Sequence, residues 1–415
     1  MPADGAFPAG EYDLAAAEVE AAAERLQGKV LRTPLLPLRL PGAAAGDPPI
    51  LLKAENLQRT GSFKIRGAFH RIERLSPEQR RRGVVAASAG NHAQGVALAA
   101  AQAGVPALIV MPAAAPMIKV ESTRAYGAEV VLAGDSFDAA YAEARRLGEE
   151  RGAYFVHAFD DPLVIAGQGT VALEILADLD DVDQIIVPVG GGGLISGIAA
   201  YVKQVRPSVR VIGVQAEGAP ALYRSVRAGR LTPSDRIRTI ADGLAIQEPR
   251  ERTYTLIRRY VDDLVLVSED EIAAAILLLL EHGKLVVEGA GAVGVAALQA
   301  GRLRPGPGRT VVVVSGGNID VNIISRIIER GLVTDGRYVR LVTQMADRPG
   351  SLHRLLGVVA REGANVITVS HERLDPSVPL GETEIGLVVE TRDRRHADRL
   401  IGAIREEGIA CTERS

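Results

Sequence analysis

The sequence predicts an α/β protein with two subdomains built on open, twisted, mainly parallel sheets, followed by a smaller ferredoxin-like βαββαβ domain. Three observations lead to this prediction. Short apolar runs alternate with longer helical patterns, glycine-rich turns follow several of those runs, and the alternation changes near Gly331. Strands that alternate with helices of ten or more residues form βαβ units, in which neighbouring strands are parallel.

Six apolar runs are predicted as strands of the parallel sheets, and an amphipathic helix over residues 15–26 precedes them. The β-branched residues of the last run are typical of a central strand that is covered on both faces. Ligands of such sheets bind at the carboxyl ends of the strands, so the residues after each run are candidate site residues. The runs are 84–87, 107–111, 129–132, 184–189, 211–215 and 310–314.

From Tyr338 onward the pattern predicts a separate domain. Its elements follow the order βαββαβ, which is a ferredoxin-like unit. A short linker at 331–337 gives predicted domains of 1–331, with a small subdomain at about 57–155 inserted in it, and 337–415. The predicted elements of the second domain are a strand to 345, a turn at 347–350, a helix at 351–362, a strand at 365–373, a loop at 375–381, a strand at 383–390, a helix at 394–407 and a last short strand.

Composition excludes several classes of protein. The 48 Lys and Arg residues nearly balance 51 Asp and Glu, a formal charge of −3, which argues against a nucleic-acid or membrane-surface partner. The single cysteine, Cys411, cannot form a disulfide within the chain. The longest uncharged stretch, 93–118, is broken by Gly104 and three prolines and predicts a helix and a strand. Residues 1–11 lack a secretory signal. We therefore expect a soluble, cytoplasmic protein.

Four consecutive glycines follow the predicted strand 184–189. Gly190, Gly191, Gly192 and Gly193 precede Leu194, where a helix begins. Successive N–H groups of such a turn converge on one anion, and the helix N-terminus adds partial positive charge. The segment therefore predicts a phosphate cup. It lacks the Lys-Ser or Lys-Thr of a nucleotide P-loop and the Gly-x-Gly-x-x-Gly spacing. A turn that only permits close helix packing is the alternative.

Lys64 is the candidate nucleophile. It lies in a segment of small and apolar residues, 60–68, and burial disfavours the charged form of an amine, which suits nucleophilic chemistry. A salt-bridged lysine, or one that extends its amine to solvent, is the alternative interpretation.

Polar residues also follow two other predicted strands. The loop after strand 84–87 offers hydroxyl, amide and free N–H donors where a carboxylate can bind. Ser315 follows strand 310–314 and places a hydroxyl at its carboxyl end, where it can equally be a helix N-cap. For His92, the last residue of the loop after strand 84–87, a purely structural histidine is the alternative interpretation. That loop consists of Ser88, Ala89, Gly90, Asn91 and His92.

Together these segments resemble the β-family of pyridoxal-phosphate enzymes, and most closely the threonine dehydratases (threonine ammonia-lyases). The resemblance covers nearly the whole chain and implies fold type II, like the tryptophan synthase β-subunit, with pyridoxal 5′-phosphate as cofactor. The motifs that carry it are 32–35, 53–58, 60–68, 88–92, 190–194, 242–245, 288–292 and 315–318.

The resemblance implies a role for each candidate residue. Lys64 would bind the cofactor covalently and act as the general base at the substrate Cα. Phe63 would lie beside the cofactor, Asn91 would bind its ring hydroxyl, and Ser315 would face its pyridine nitrogen. The phosphate would be held by the N–H groups of Gly190, Gly191, Gly192, Gly193 and Leu194, and the substrate by Ser88, Ala89, Gly90, Asn91 and His92. The implied reaction converts L-threonine to 2-oxobutanoate and ammonia, and L-serine to pyruvate.

Three alternatives stay open. Serine racemases use a serine as a second base where this chain has Ala89, and Tyr223 replaces an aspartate of their metal site, so no metal is predicted. Other β-family enzymes, such as cysteine or threonine synthases, share the phosphate cup and the lysine. An amino-acid sensor with a vestigial catalytic body is the third, against which the intact Lys64, Asn91 and Ser315 argue.

Two segments beyond the linker, 345–352 and 363–366, resemble the ACT regulatory domain of amino-acid enzymes. The resemblance implies an amino-acid effector, for which a branched-chain amino acid is the leading hypothesis, and a homo-oligomer, a dimer or tetramer. A module that only mediates oligomerisation is the alternative. The sequence leaves open whether the enzyme serves isoleucine biosynthesis or threonine breakdown.

Overall fold

The computed structural model describes residues 12–44, 46, 49–373 and 378–414, which fall into two compact units. The first unit ends at Ile319 and the second begins at Asp320. This division lies before the helix Val321–Thr334, whereas the predicted linker lies after it. The predicted domain limits stay predictions. The expected absence of a secretory signal at 1–11 and part of the predicted loop 375–381 lie outside the described residues.

The first unit contains two sheets and most of the helices. Its strands are β1 (Leu35–Leu38), β2 (Ile50–Ala54), β3 (Val84–Ala87), β4 (Ala107–Met111), β5 (Glu129–Leu132), β6 (Tyr154–Phe155), β7 (Val182–Pro188), β8 (Arg210–Ala216), β9 (Asp263–Val267) and β10 (Arg309–Val314). Its helices are α1 (Ala16–Leu26), α2 (Lys64–Glu73), α3 (Pro77–Arg82), α4 (Asn91–Ala103), α5 (Met117–Ala125), α6 (Phe137–Arg151), α7 (Pro162–Asp178), α8 (Gly193–Val205), α9 (Ala221–Ala228), α10 (Glu251–Tyr260), α11 (Glu269–Leu278) and α12 (Gly289–Gln299).

The larger sheet has six strands in the order β1-β2-β10-β7-β8-β9. All of its pairs are parallel except the edge pair of β1 with β2. The central strand β10 is buried from Thr310 to Val314 because helices cover both faces of a parallel sheet. The carboxyl ends of these strands form one edge at which the candidate loops after β7 and β10 meet.

The smaller sheet is parallel throughout and has the order β5-β4-β3-β6. Helix α4 begins at Asn91, within the segment 88–92 that follows β3. It packs its alanine-rich face in the core of this subdomain. Small side chains let α2 and α4 approach closely: a Cβ placed on Gly95 would stand 3.2 Å from the backbone nitrogen of Ile65. The first turns of the two helices therefore lie side by side.

The second unit begins with α13 (Val321–Thr334) and continues as an antiparallel sheet with two helices. Its sheet order is β12-β13-β11-β14. Alternate residues of β11 and β13 are buried against the helices, as expected when one sheet face is covered. The elements are β11 (Tyr338–Ala346), α14 (Ser351–Arg361), β12 (Asn365–Glu372), β13 (Glu382–Glu390), α15 (Arg394–Glu406) and β14 (Ala410–Glu413).

The predicted fold class is confirmed, and the six predicted strands lie within two residues of their observed ends. Four further strands, β1, β2, β6 and β9, were missing from the prediction. The first is antiparallel, β6 has only two residues, and β2 contains the buried Lys53, whose charge interrupts the apolar pattern. Among the described residues no helix is long and apolar enough to cross a membrane.

Candidate active site

Lys64 is the first residue of α2 and is held at the carboxyl edge of the larger sheet. The backbone N–H of Phe63 donates to the carbonyl oxygen of Ser315 at 3.1 Å, and Ser62 forms an isolated bridge with Gly316. These bonds join the start of α2 to the loop after β10. The Lys64 amine donates to the carbonyl oxygen of Ala158 at 2.9 Å. Phe63 lies beside it, with its ring centroid 5.2 Å from Lys64 Nζ.

The environment of Lys64 favours its neutral form. Burial lowers the pKa of Lys64 to about 8, although the negative charge of Glu288 acts in the opposite direction. The nearby His92 is neutral at pH 7, because burial and the positive charge of Lys64 lower its pKa to about 3. Its Nε2 contacts the carbonyl oxygen of Val156 at 2.9 Å, so His92 braces the loop that carries Ala158.

The four glycines form a turn between β7 and α8 that has no room for side chains. Gly192 has φ of +90°, which favours glycine. A Cβ on Gly190 would stand 2.9 Å from the carbonyl oxygen of Gly243, and one on Gly191 would overlap the ring of Phe159. In the described part of the chain, no backbone N–H from Gly190 to Leu194 donates to a protein acceptor. The turn is therefore a compact group of free donors at a helix N-terminus.

The loop 88–92 provides a second group of donors. The hydroxyl of Ser88 accepts the N–H of Gly90 at 3.1 Å, which ties the serine into its own loop. Asn91 begins α4, and its side chain donates to Glu288 Oε1 at 2.7 Å while accepting from Asn318 at the same distance. Asn318 also donates to the carbonyl oxygen of Thr60. This chain of hydrogen bonds connects the loops after β3 and β10 with the segment before Lys64.

Glu288 is a further site residue, and no role for it could be predicted from the sequence. It is the N-cap of α12, and its backbone N–H donates to the carbonyl oxygen of Gly316 at 3.1 Å. Burial and the negative charge of Asp242 raise the pKa of Glu288 to about 7, while the hydrogen bond from Asn91 opposes that rise. Glu288 can therefore hold or release a proton near neutral pH, next to Ser315, which is buried at the carboxyl end of β10.

Comparison with known families identifies the chain. The family model described as pyridoxal-phosphate dependent enzyme matches residues 26–316, and the ACT domain model matches residues 339–408. The chain belongs to the pyridoxal-phosphate dependent enzymes. Its cofactor is pyridoxal 5′-phosphate, and its C-terminal domain is an ACT domain, as the sequence predicted.

Three proteins similar to this pyridoxal-phosphate enzyme cover most of its length. The L-threonine ammonia-lyase of Thermotoga maritima is 55% identical over 85% of this chain and 87% of that protein. The L-threonine ammonia-lyase of Geobacter sulfurreducens is 49% identical over 94% of this chain and 97% of that protein. The solved structure of maize serine racemase is 36% identical, covers 78% of this chain and 99% of its own, and superposes with a TM-score of 0.72.

The geometry of this pyridoxal-phosphate enzyme fits its cofactor. An aldehyde reacts with the neutral form of a primary amine, and the pKa of about 8 raises the neutral fraction of Lys64 to about one tenth at pH 7. A phosphate requires several convergent N–H donors, which the turn from Gly190 to Leu194 leaves free among the described residues.

A buried ionic cluster beneath Lys64 is the main feature of this enzyme that sequence reasoning missed. Arg66 is 1% exposed and bonds both Glu55 and Glu174 at 2.7 Å. Lys53 bonds Glu174 at 2.6 Å, and Thr33 donates to Glu55. Burial acts to raise the pKa of Glu55, but the charge and hydrogen bonds of Arg66 hold it below its ordinary value. The signal for this cluster in the sequence was the segment Lys53-Ala54-Glu55, which lies within the motif 53–58.

Proposed function

We propose that this enzyme is an L-threonine ammonia-lyase that converts L-threonine to 2-oxobutanoate and ammonia and also deaminates L-serine to pyruvate. The observation that carries the proposal is that the Lys64 amine lies beside both groups of donors. It bonds Ala158, whose neighbour Phe159 packs on the glycine turn, and its charge acts on His92 of the loop 88–92. Its support is the 49–55% identity to L-threonine ammonia-lyases over most of the chain.

Lys64 would serve as covalent anchor and as general base. When bound, pyridoxal phosphate supplies an electron sink for the charge that develops at the substrate Cα. The Lys64 amine would take the Cα proton, which requires the neutral form that burial favours. The carbonyl oxygen of Ala158 accepts from this amine and would direct it.

The remaining site residues would bind and orient. The N–H groups of the turn from Gly190 to Leu194 would hold the cofactor phosphate. In the loop 88–92 the N–H groups of Ser88 and Gly90 are engaged, so those of Ala89, Asn91 and His92 would hold the substrate carboxylate. Asn91 would bind the cofactor hydroxyl while its amide stays fixed by Glu288 and Asn318. Phe63 would lie beside the cofactor. The Ser315 hydroxyl would face the pyridine nitrogen, which a serine cannot keep protonated.

Cofactor uptake provides a pH test of Lys64. We expect the rate at which cofactor-free protein takes up pyridoxal phosphate to rise about tenfold from pH 7 to pH 9 and to level off above it. A pKa of about 8 makes the neutral fraction of the amine rise from about one tenth to about nine tenths over that range. Stopped-flow absorbance would measure the rate. A rate that keeps rising tenfold per pH unit beyond pH 9 would contradict the lowered pKa.

The Gly191→Ala substitution tests the phosphate-binding turn. Its Cβ would overlap the ring of Phe159, so the turn must shift and its N–H groups lose their convergence. We expect the dissociation constant for pyridoxal phosphate, measured by fluorescence titration, to rise at least about tenfold, the loss of about one charge-assisted hydrogen bond. The control is Gly402→Ala in α15, where a Cβ meets no atom within 4 Å. Equal affinity of both variants would argue against the turn as the phosphate site.

Serine racemisation is the second candidate, because maize serine racemase shares the fold. Two observations disfavour racemisation. Ala89 has no hydroxyl to act as a second base, and the Ser88 hydroxyl is engaged with the N–H of Gly90.

The test of the proposed function compares three reactions side by side. The purified enzyme with its cofactor is incubated with L-threonine or L-serine, and 2-oxo acid release and D-serine formation are measured. We expect 2-oxobutanoate from threonine as the fastest reaction, slower pyruvate release, and racemisation at most about one hundredth of deamination. D-serine as the dominant product would overturn the proposal in favour of a racemase.

The ACT domain supports a regulatory proposal. Helix α14 begins after Gly350, whose φ is +91°. The N–H of Ser351 donates to the carbonyl oxygen of Arg348, so Leu352 and His353 carry the N–H groups of the first turn that an anion can reach. We propose that an amino acid, with a branched-chain amino acid as the first choice, binds here through its carboxylate in a homo-oligomer of the cytoplasmic enzyme. Calorimetric titration of the full chain with isoleucine, valine and threonine, with sedimentation velocity, tests it. No binding of any of them would leave only the oligomerisation role.

A further inference from the structure

An aromatic cleft opens beside the Lys64 site within the first unit. Its volume is about 230 Å³. One wall comes from the start of α6 and from β6 with the loop after it. The facing wall has apolar residues, Ile237, Ala245 and Ile246, and polar ones, Gln247, Glu248 and Arg250. The aromatic rings that line it are Phe137, Tyr141, Phe155, His157 and Phe159.

The rings of the cleft form a continuous apolar wall. Tyr141 meets Phe155 edge to face with centroids 5.1 Å apart, and His157 meets Phe159 in the same way at 4.6 Å. Phe137 extends the wall outward from Tyr141, with centroids 6.2 Å apart. Burial lowers the pKa of His157 to about 4, so its ring is uncharged at neutral pH. Such pairs are rigid and suit apolar groups.

The cleft borders the reaction centre on two sides. Ala158 lines it and accepts the Lys64 amine at 2.9 Å, and Phe159 lines it while covering the glycine turn at Gly191. Ala87 lines it as well and directly precedes the loop 88–92. When the substrate carboxylate is bound by that loop and its Cα lies at Lys64, the group attached to Cβ is therefore within reach of the cleft.

We propose that this cleft is the subsite for the Cβ substituent, and that the enzyme also deaminates 3-hydroxy-2-amino acids whose Cβ carries an alkyl or aryl group larger than methyl. An apolar cavity of about 150 Å³ accommodates a benzene ring, so the cleft has room for a phenyl group. The inference rests on the proposed function and extends its substrate class.

The reaction balances without a further reagent. The bond from Cβ to the hydroxyl oxygen breaks, the Cα proton is lost, and the hydroxyl leaves as water. One water then releases ammonium, and Cβ gains a proton. The net change converts R–CH(OH)–CH(NH₃⁺)–COO⁻ to R–CH₂–CO–COO⁻ and NH₄⁺, which needs no oxidant or reductant.

The first experiment uses the full-length enzyme with its cofactor and four substrates. L-serine, L-threonine, 3-hydroxynorvaline and threo-3-phenylserine carry hydrogen, methyl, ethyl and phenyl on Cβ, and 2-oxo acid release gives kcat/KM for each. We expect threonine to exceed serine at least about tenfold, the range for one methyl group in an apolar pocket, and phenylserine to be deaminated within about tenfold of serine. Absent turnover of both larger substrates, with threonine active, would overturn the inference and leave the proposed function intact.

A binding measurement makes the test independent of turnover. L-phenylalanine and L-alanine lack the leaving hydroxyl, and calorimetry compares their affinities for the same enzyme. We expect phenylalanine to bind at least about tenfold more tightly. Equal affinities would overturn the inference. Should threonine not be deaminated at all, the proposed function fails, and this comparison still decides whether the cleft binds the side chain.

Variants at Phe137 assign the effect to the cleft. Phe137 is half exposed, so its replacement leaves the core intact. We expect Phe137→Ser to lower kcat/KM for phenylserine about tenfold more than it lowers kcat/KM for serine. Phe137→Leu keeps an apolar side chain, so we expect it to keep most of the wild-type kcat/KM for phenylserine. The control is Leu132→Ser, at an exposed apolar residue of β5 outside the cleft lining. A Phe137→Ser enzyme with the same substrate ratios as this control would contradict the subsite.

Discussion

We expect the Lys64→Ala variant to lose threonine deamination at least about a thousandfold while keeping its fold. The side chain makes one hydrogen bond, to the carbonyl oxygen of Ala158, and its burial already disfavours the charged amine. Removing it therefore costs little stability. The same change removes both the proposed anchor for the cofactor and the proposed general base, and each such role contributes about 10²- to 10⁴-fold.

Three measurements check this prediction. Release of 2-oxobutanoate gives the activity, circular dichroism gives the fold, and borohydride reduction followed by peptide mapping locates the amine that carries the cofactor. The control is Lys29→Ala, which removes a partly exposed ion pair with Glu73 and should leave activity unchanged. A labelled peptide other than the one with Lys64, or an active alanine variant, would refute the assignment.

We expect the Arg66→Ala variant to lose about 3–5 kcal/mol of unfolding free energy. Arg66 is almost fully buried and bonds Glu55 and Glu174, both at 2.7 Å. Without it, Lys53 alone would face two buried carboxylates. Glu55 would then keep the hydrogen bond from Thr33 but lose its bonded cation in a low-dielectric interior. Such a group must take up a proton or admit water, and both cost free energy.

The control for Arg66 is another arginine that bonds two carboxylates. Arg146 bonds Glu143 and Glu150 at 2.8 Å but lies on the surface of α6. Its substitution by alanine should leave the urea midpoint nearly unchanged, because solvent screens exposed ion pairs. Urea unfolding followed by fluorescence and activity measures both variants. Equal midpoints for the two would show that burial of the cluster adds nothing to its strength.

The Arg66 cluster also bears on the position of Lys64. Arg66 lies two residues after Lys64 on α2 and connects this helix to the segment after β2 and to α7. We expect Arg66→Lys to restore part of the stability that Arg66→Ala loses. Lysine carries a single point charge, so it would not restore the bonds to both carboxylates.

Local patterns predicted much of the fold. The strands β3, β4 and β5 lie at their predicted residues because an apolar run closed by a turn signal has few alternatives. The uncharged stretch 93–118 forms helix α4 and strand β4, as predicted, and not one long helix. Gly104, whose backbone is in the left-handed region, ends the helix. Strand β2 escaped prediction since Lys53 is neutralised by Glu174, a residue 121 positions away.

The sequence by itself determined the fold class, the cofactor family, the ACT domain and the order of the loops that follow β3, β7 and β10. The fold class and the order of the loops depend on short-range signals, namely glycine spacing, β-branched runs and residues at strand ends. The cofactor and the ACT domain follow from the resemblance of several motifs to known families. The roles of Lys64, Asn91, Ser315 and the glycine turn stay proposals that this geometry supports.

Only the tertiary structure decided which distant side chains meet. Glu288 bonds Asn91 across 197 residues, Arg66 bonds Glu174 across 108, and the aromatic cleft joins α6 and β6 to the segment 245–250. Nothing local to any of these residues predicts its partner. Their pKa values and energies depend on burial and on charges brought close by chain folding, so the acid–base properties of the site emerge only with the packed protein.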